Sequence, residues 1–372
     1  MTHSNLKKQT HYKVLGVMSG TSLDGIDLCV SSFEFETSWK FQIQVAETVE
    51  YSEKWKYRLK TAIDLNATEL DNLNKEYTQF LAEVIQTFVN RHSVTSLDAV
   101  CSHGHTVFHE PSLGKTLQIG NLPSLATYLN QTVVCDFRTQ DVAFGGQGAP
   151  LVPIGDALLF SDYDFCLNLG GFANISFEQN SERIAFDICP VNIVLNHYVA
   201  SLGMTYDSEG QIAAKGSVCE PLLEALNALE FYKQPPPKSL GLEWVQKDVF
   251  PLIDAFNLEV PNLLRTVVEH CAVQLSNTLK NNRLKKGLIT GGGVFNTFLM
   301  QRISDLYGRD LQPEPPMIIA FKEALIFGFL GVLKLRNEPN CLQSVTGATH
   351  SHSSGCIYFP EKKTIIIYRK RI

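Results

Sequence analysis

Two segments in different halves of the chain repeat one pattern: an apolar run, a turn of small residues and a second apolar run. The first is Val14 to Val30, turning at Ser19-Gly20-Thr21-Ser22, and the second is Phe165 to Phe177, turning at Gly170-Gly171. A tight turn between two extended runs makes a hairpin. Two such hairpins in 372 residues, too long for one average domain, suggest a duplicated architecture with two lobes facing across a cleft. Elsewhere extended runs alternate with helical periodicity, which is the α/β pattern. Short strands are expected at Ala99 to Cys101, Gln118-Ile119 and Thr132 to Cys135. Residues 68 to 91 read as one amphipathic helix, with Leu70, Leu73, Tyr77, Leu81, Val84 and Phe88 at helical spacing and Thr68 with Asp71 as its capping box. Helices are also expected over 261–282, from Gly293 to about Leu306 and over Phe321 to Leu335, with strands at Gly287 to Thr290 and Thr364 to Ile372. These elements place a first lobe at 1–135, joined by the tail 355–372, and a second at 136–354.

Composition removes several function classes. Thirty-two Lys and Arg against 38 Asp and Glu give a net charge of −6, whose field repels a polyphosphate backbone, so nucleic acid is not an expected partner. The nine cysteines are odd in number, none is at Cys-x-x-Cys spacing, and several lie in apolar runs where cysteine acts as a small hydrophobe. That favours a reducing compartment. The polar N-terminus has no signal-peptide core, and no run is read as reaching the ~18–20 apolar residues of a membrane helix. The expectation is a soluble cytoplasmic enzyme without a membrane partner.

Five segments carry residues suited to chemistry. Gly20, Thr21, Ser22, Leu23, Asp24, Gly25, Ile26 and Asp27 offer backbone amides, hydroxyls and two carboxylates in one turn, which suits a phosphate and Mg²⁺, although an ordinary turn has the same composition. Gly291, Gly292 and Gly293 between a strand and a helix suit close approach of a nucleotide or simply tight packing. Ser102 to His109 holds three of the ten histidines. His103 and His105 are expected on one strand face, as donors to a polar substrate more than as metal ligands. His350 and His352 read as solvated loop residues. Arg138 between Asp136 and Asp141 is either a bidentate clamp for an anion or an internal ion pair. Asp187, read as lying between a strand and a helix that starts at Pro190, is either a base held ionised by the helix dipole or only the N-cap.

Taken together, Gly16 to Asp27, Ser102 to His109, Thr116 to Gly120, Asp136 through Pro150, Asn168 to Asn174, Tyr206-Asp207 with Gly210, Gly291 to Asn296, Lys322 to Ala324 and Ser344 to Ala348 resemble the anhydro-N-acetylmuramic acid kinases of bacterial cell-wall recycling. The resemblance implies a two-lobed actin/hexokinase-like (ribonuclease H-like) fold with a central cleft, and a homodimer. It also implies a reaction using ATP and Mg²⁺ that opens a 1,6-anhydro sugar with water while phosphorylating O6. Carried over by position, Gly20 to Asp27 with Gly170, Gly171 and Asn174 would bind ATP phosphates, Gly291 to Gly293 would lie near the adenosine, and Asp24 would hold Mg²⁺. Asp187 would activate the water, while His103, Thr106, Arg138 and Glu323 would contact the sugar. The chain departs from the family pattern at Ile188, Cys189 and Val191, where a hydroxyl and two glycines are usual, at Asn196, usually acidic, and at His105, usually glutamine. Cys189 and Val191 are expected to narrow the pocket. Those departures keep two alternatives open: a kinase for another anhydrosugar such as levoglucosan, or a sugar- or nucleotide-binding homologue without turnover.

Overall fold

The first hairpin forms as read: β1 (His11–Ser19) and β2 (Gly25–Phe35) pair antiparallel from His11↔Glu34 to Ser19↔Ile26. The computed structural model describes residues 9–20 and 23–361, so Thr21, Ser22 and the expected strand at 364–372 lie outside the described residues. β3 (Trp39–Glu50) extends the hairpin antiparallel to β2, while β4 (Ala99–Glu110) runs parallel to β1 and β6 (Val133–Cys135) parallel to β4. β5 (Lys115–Ile119) pairs with the far end of β4.

The helix Ala67–Arg91 turns Leu73, Tyr77, Leu81, Ala82, Ile85 and Phe88 into the core of this sheet. Its capping box is two residues earlier than the sequence reading placed it. Asn66 Oδ1 accepts from the Thr68 and Glu69 amides at 3.0 and 3.1 Å, and Glu69 returns a bond to the Asn66 N–H at 3.1 Å. Either pair fits the motif spacing; Asn66 prevails because it is the extended residue before the first helical turn.

In the second unit β7 (Phe165–Leu169), β8 (Phe172–Gln179) and β9 (Glu182–Pro190) form an antiparallel meander, and β10 (Gly287–Thr290) pairs parallel with β7. The strand order β9-β8-β7-β10 repeats β3-β2-β1-β4 of the first sheet, hairpin then parallel neighbour. The duplicated, actin/hexokinase-like α/β architecture is therefore present in the topology of each unit. The helix Val260–Asn281 supplies Leu264, Val268, Cys271, Leu275 and Leu279 to the second core.

The unit boundaries differ from the expected ones. The first unit comprises residues up to Val152 and from Glu323 onward, the second Pro153–Lys322, so 136–152 and 323–354 belong with the first sheet and not the second. Their hydrogen bonds explain why. Gln147 N–H donates to Thr346 O at 2.7 Å, Ser354 Oγ to Phe137 O at 2.7 Å, and a last strand, β11 (Cys356–Tyr358), pairs antiparallel with β6. Both boundaries fall in or beside helices, Val152–Leu159 and Pro316–Leu335, and so lack the polar, flexible composition that marks a linker.

The helix Pro316–Leu335 also corrects the membrane reading. It is long and apolar enough to span a bilayer by length and composition alone, with mean hydropathy 1.8 over its most apolar 18 residues, yet 67% of that window is buried within the protein. Its apolar side chains serve mainly as core. It lies close on β1 and β4: a Cβ at Gly16 would sit 1.9 Å from Ala324 O, and one at Gly331 2.1 Å from Cys101 Sγ. Gly16→Ala is expected to destabilise the fold by ~1–3 kcal/mol, because backbone and not a side chain must give way. The midpoint of urea unfolding measures it, with Gly114→Ala, where nothing lies within 4 Å of the added carbon but φ is +67°, as the comparison for backbone strain alone.

Candidate active site

At one end of the second sheet four polar residues stand in line across the strands. Thr290 on β10 pairs with Asn168 on β7, Asn168 with Asn174 on β8, and Asn174 with Asp187 on β9. Directly opposed residues share a sheet face. Asp187 joins this row because β9 carries one extra residue: Ala173 faces Cys189 but Asn174 faces Asp187, which leaves Ile188 as a bulge. Bulges re-aim the neighbouring side chains. Asp187 is half-buried, its Oδ2 accepts the Leu240 N–H at 2.7 Å, and its own N–H donates to Lys238 O at 3.0 Å. Burial raises its carboxyl above the usual aspartate value, opposed by the lowering effect of the Leu240 bond. The N-cap reading is overturned. Pro190 closes β9, and the helix Asn192–Val199 is preceded by Val191, so Asp187 is a strand residue.

Two glycine turns flank the row. The Gly170 and Gly171 carbonyls receive the amides of Val191, Asn192 and Ile193 at 2.8–3.3 Å. Gly291 has φ +87°, and a Cβ there would meet Asn168 Oδ1 at 2.5 Å; one at Gly293 would meet Leu169 Cβ at 2.8 Å. Gly292, by contrast, is exposed, and a Cβ there would meet nothing nearer than Asn192 Nδ2 at 3.9 Å. The outer glycines thus serve packing, and the middle one leaves backbone open to a ligand.

In the first unit the β1–β2 connection is anchored by a buried chain of hydroxyls. Ser19 Oγ lies 2.8 Å from His105 Nδ1 and 2.7 Å from Tyr51 Oη, which lies 2.5 Å from Tyr77 Oη. Burial depresses His105 to about 4, so it is neutral near pH 7. Beyond Ser19, Asp24 is exposed, Ile26 is turned into the core, and Asp27 is half-buried and accepts from Thr48 Oγ1 at 2.6 Å. Burial raises the Asp27 carboxyl, and the charge of Asp24 adds to the effect.

His103 and His105 do not act as a pair. Gly104 between them has φ +76°, the β1–β4 register shifts there, and each ring enters a different network. His103 Nδ1 is 2.9 Å from Gly104 O; a carbonyl only accepts, so Nδ1 carries the proton and Nε2 accepts from Arg138 Nε at 2.9 Å. Burial and the Arg138 charge hold His103 well below the usual histidine value, hence neutral. Arg138 also donates to Gly148 O at 2.6 Å and interacts electrostatically with exposed Glu323. Its partners are therefore a neutral imidazole and a carbonyl, and the expected internal pair with Asp136 or Asp141 does not form: Asp136 accepts from Thr139 Oγ1, Asp141 from Gly148 N–H and Thr346 Oγ1. Thr106 Oγ1 accepts from Gln118 Nε2 at 3.4 Å, and Gln118 also reaches Thr116, the partner of His109 Nδ1.

The profile of the family described as anhydro-N-acetylmuramic acid kinase matches residues 12–360. The chain is 34% identical over 371 residues to the anhydro-N-acetylmuramic acid kinase of Mannheimia succiniciproducens, covering 92% of this chain and 98% of that one. It is 31% identical over 384 residues to that of Haemophilus influenzae, covering 95% and 99%. The chain belongs to the anhydro-N-acetylmuramic acid kinase family. Among solved structures the likeness is loose: a ROK family glucokinase from Streptomyces griseus in complex with glucose and AMPPNP is similar at TM-score 0.39 and 10% identity, over 86% of this chain and 98% of that one.

Set against the anhydro-N-acetylmuramic acid kinase pattern, the unusual residues after Asp187 are core residues. Ile188, Cys189 and Val191 are buried in the second core, so the expectation that they narrow the pocket is not met. Asn196 is exposed. His352, expected in solvent, is buried, whereas His350 is exposed as read. Two features of the site escaped sequence reasoning. The Leu240 amide leaves no sequence signal, but Asn168 and Thr290 are the polar interruptions of apolar strands that mark a functional edge. Since Asp187 has a raised carboxyl pKa in the folded state, it favours folding when protonated and loses that contribution as pH rises through that pKa. Asp187→Asn is therefore expected to melt no lower than the parent at neutral pH, with its relative advantage shrinking under mildly acidic conditions; differential scanning fluorimetry at both pH values reads this out.

Proposed function

We propose that the protein is an ATP-dependent kinase that opens the 1,6-anhydro ring of anhydro-N-acetylmuramic acid with water and phosphorylates O6, giving N-acetylmuramic acid 6-phosphate. The observation that carries this reading is the bulge-set position of Asp187, a desolvated carboxylate with a single amide donor, at the polar end of β7 to β10. Asp187 takes a proton from water as the water oxygen attacks C1. The C1–O6 bond breaks, and the oxygen so released takes the γ-phosphoryl group, with ADP leaving. A carboxylate whose pKa is raised toward neutrality is the stronger base for that transfer.

Arg138, fixed by His103 and Gly148, suits the lactyl carboxylate of the sugar, and Glu323 and Thr106 suit its hydroxyl and amide groups. In the second unit the exposed backbone at Gly292 and the turn at Gly170-Gly171 suit a nucleotide; in the first, the composition of Gly20 to Asp27 suits phosphate groups. The mutual repulsion of Asp24 and Asp27 is relieved by a divalent cation, so these oxygens are the ones that would hold Mg²⁺. When bound, Mg²⁺ neutralises charge that develops on the transferring phosphoryl oxygens. The chain's own contribution is positioning and a water-selective base, which is most of what phosphoryl transfer asks of a protein.

ADP release by the purified protein with MgATP and 1,6-anhydro-N-acetylmuramic acid tests the reading. Turnover is expected, falling roughly 10²- to 10⁴-fold in Asp187→Asn. Because the base must be ionised, the rate should rise with pH on the acid side, with a midpoint above the ordinary aspartate range, as burial of Asp187 requires. ADP release with levoglucosan but not the muramic sugar would reassign the substrate, and release with neither would leave only a binding role.

A further inference from the structure

We infer that Asp141, Cys341 and His352 form a binding site for a thiophilic divalent metal, zinc being the first choice, separate from the Mg²⁺ of the reaction. The three donor atoms, a carboxylate oxygen, Sγ and a ring nitrogen, all lie within 4.8 Å of one another, and all three residues are buried. The separation of Asp141 Oδ1 and His352 Nε2 is 3.6 Å, close to the spacing of two ligands on one tetrahedral ion with bonds of ~2.0–2.2 Å.

The decisive observation is the histidine. His352 Nδ1 is 3.0 Å from His350 O, and since a carbonyl can only accept, Nδ1 carries the proton. In the neutral ring Nε2 then has a lone pair, and that buried atom has no hydrogen-bond partner although a carboxylate oxygen faces it. A ring nitrogen and a carboxylate oxygen 3.6 Å apart, both buried and without a hydrogen bond between them, leave room for a cation bound to both. An N–H donated to a backbone carbonyl is also how ligating histidines are usually oriented.

The scaffold holds the donors in place. Cys341 and His352 lie opposite one another in an isolated antiparallel bridge, with N–H···O bonds of 3.1 Å in both directions. Asn340 fastens the bridge by donating to Leu330 O and Ser354 O and accepting from Ser354 N. Asp141 accepts from Gly148 N–H on one oxygen and Thr346 Oγ1 on the other, and Cys341 is hydrogen-bonded to Ser354. One thiolate and one carboxylate balance a divalent ion, so the occupied site is neutral and its burial carries no net charge; the thiol proton is released to solvent on binding. The site would also tie the 340–354 segment to the peptide at Gly148, whose carbonyl holds Arg138.

The full-length protein, stripped with a chelator, incubated with one equivalent of zinc and gel-filtered, should retain about one zinc per chain. Cys341→Ser and His352→Gln should each weaken binding at least tenfold, and His350→Asn should not. Zinc should raise the melting temperature of the parent and leave that of the two ligand variants unmoved. Cobalt(II) added to the parent alone should give thiolate-to-cobalt charge-transfer absorption, a readout independent of whether the variants fold. No retained zinc, equal retention in Cys341→Ser, or cobalt binding without the thiolate band would each overturn the proposal.

Discussion

The extra residue in β9 sets the chemistry of the second unit. Without the bulge at Ile188 the antiparallel register would continue from Ala173↔Cys189, and the carboxylate of Asp187 would leave the row formed by Thr290, Asn168 and Asn174. A slip of one residue exchanges sheet faces. What holds the slip in place is apolar: Phe186, Ile188, Cys189 and Val191 all enter the second core, so reversing the register would bring apolar side chains to the surface. The same strand is the edge of its sheet, and the chain at Lys238 to Leu240 covers it, bonding to the backbone and the carboxylate of Asp187. A segment that protects an edge thereby also orients the Asp187 carboxylate.

The first unit solves a different problem, how to keep a guanidinium available while half-burying it. Arg138 is held by a neutral imidazole and a carbonyl, neither of which cancels its charge. The tautomer of His103 is fixed by Gly104 O, and its depressed pKa keeps the lone pair on Nε2 across the physiological range. A carboxylate in place of His103 would hold the arginine more tightly and leave less of its charge for an anionic group. Exposed Glu323 and buried Asp141 act on it by charge, and exposure weakens the effect of Glu323.

Hairpins, long helices and the duplication were legible because they rest on local periodicity: the residues of Leu73, Tyr77, Leu81 and Phe88 and the turns at Gly20 and Gly170 carry their own signal. The unit boundaries were not, since both occur in or beside helices whose composition is that of a core. Asp187 was found from sequence, but its setting was misread: Pro190 suggests a helix start, and only the tertiary fit of Val191 and Cys189 into the core decides that the strand runs on to it. His352 failed for a similar reason. A loop rich in Ser, Thr and Gly suggests solvent, whereas the bridge to Cys341 is a non-local pairing that composition does not encode.

Four buried or half-buried aspartates differ in the donors they receive. Asp207 accepts one amide on each oxygen, from Ile212 and Ala213, and so caps a turn. Asp156 accepts from Ser176 Oγ on one oxygen and pairs with Lys322 at 2.8 Å on the other, which ties the helix Val152–Leu159 to β8 and to Lys322. Asp141 likewise has a donor on each oxygen. Asp187 is half-buried and has one amide on Oδ2, and burial raises its carboxyl pKa against the lowering effect of that bond. Each donated hydrogen bond favours the ionised form, so a carboxylate with a donor on one oxygen is a better proton acceptor than one with a donor on each, although both keep lone pairs for a metal ion. By that criterion, which needs no family resemblance, Asp187 is the aspartate of this group best suited to accept a proton.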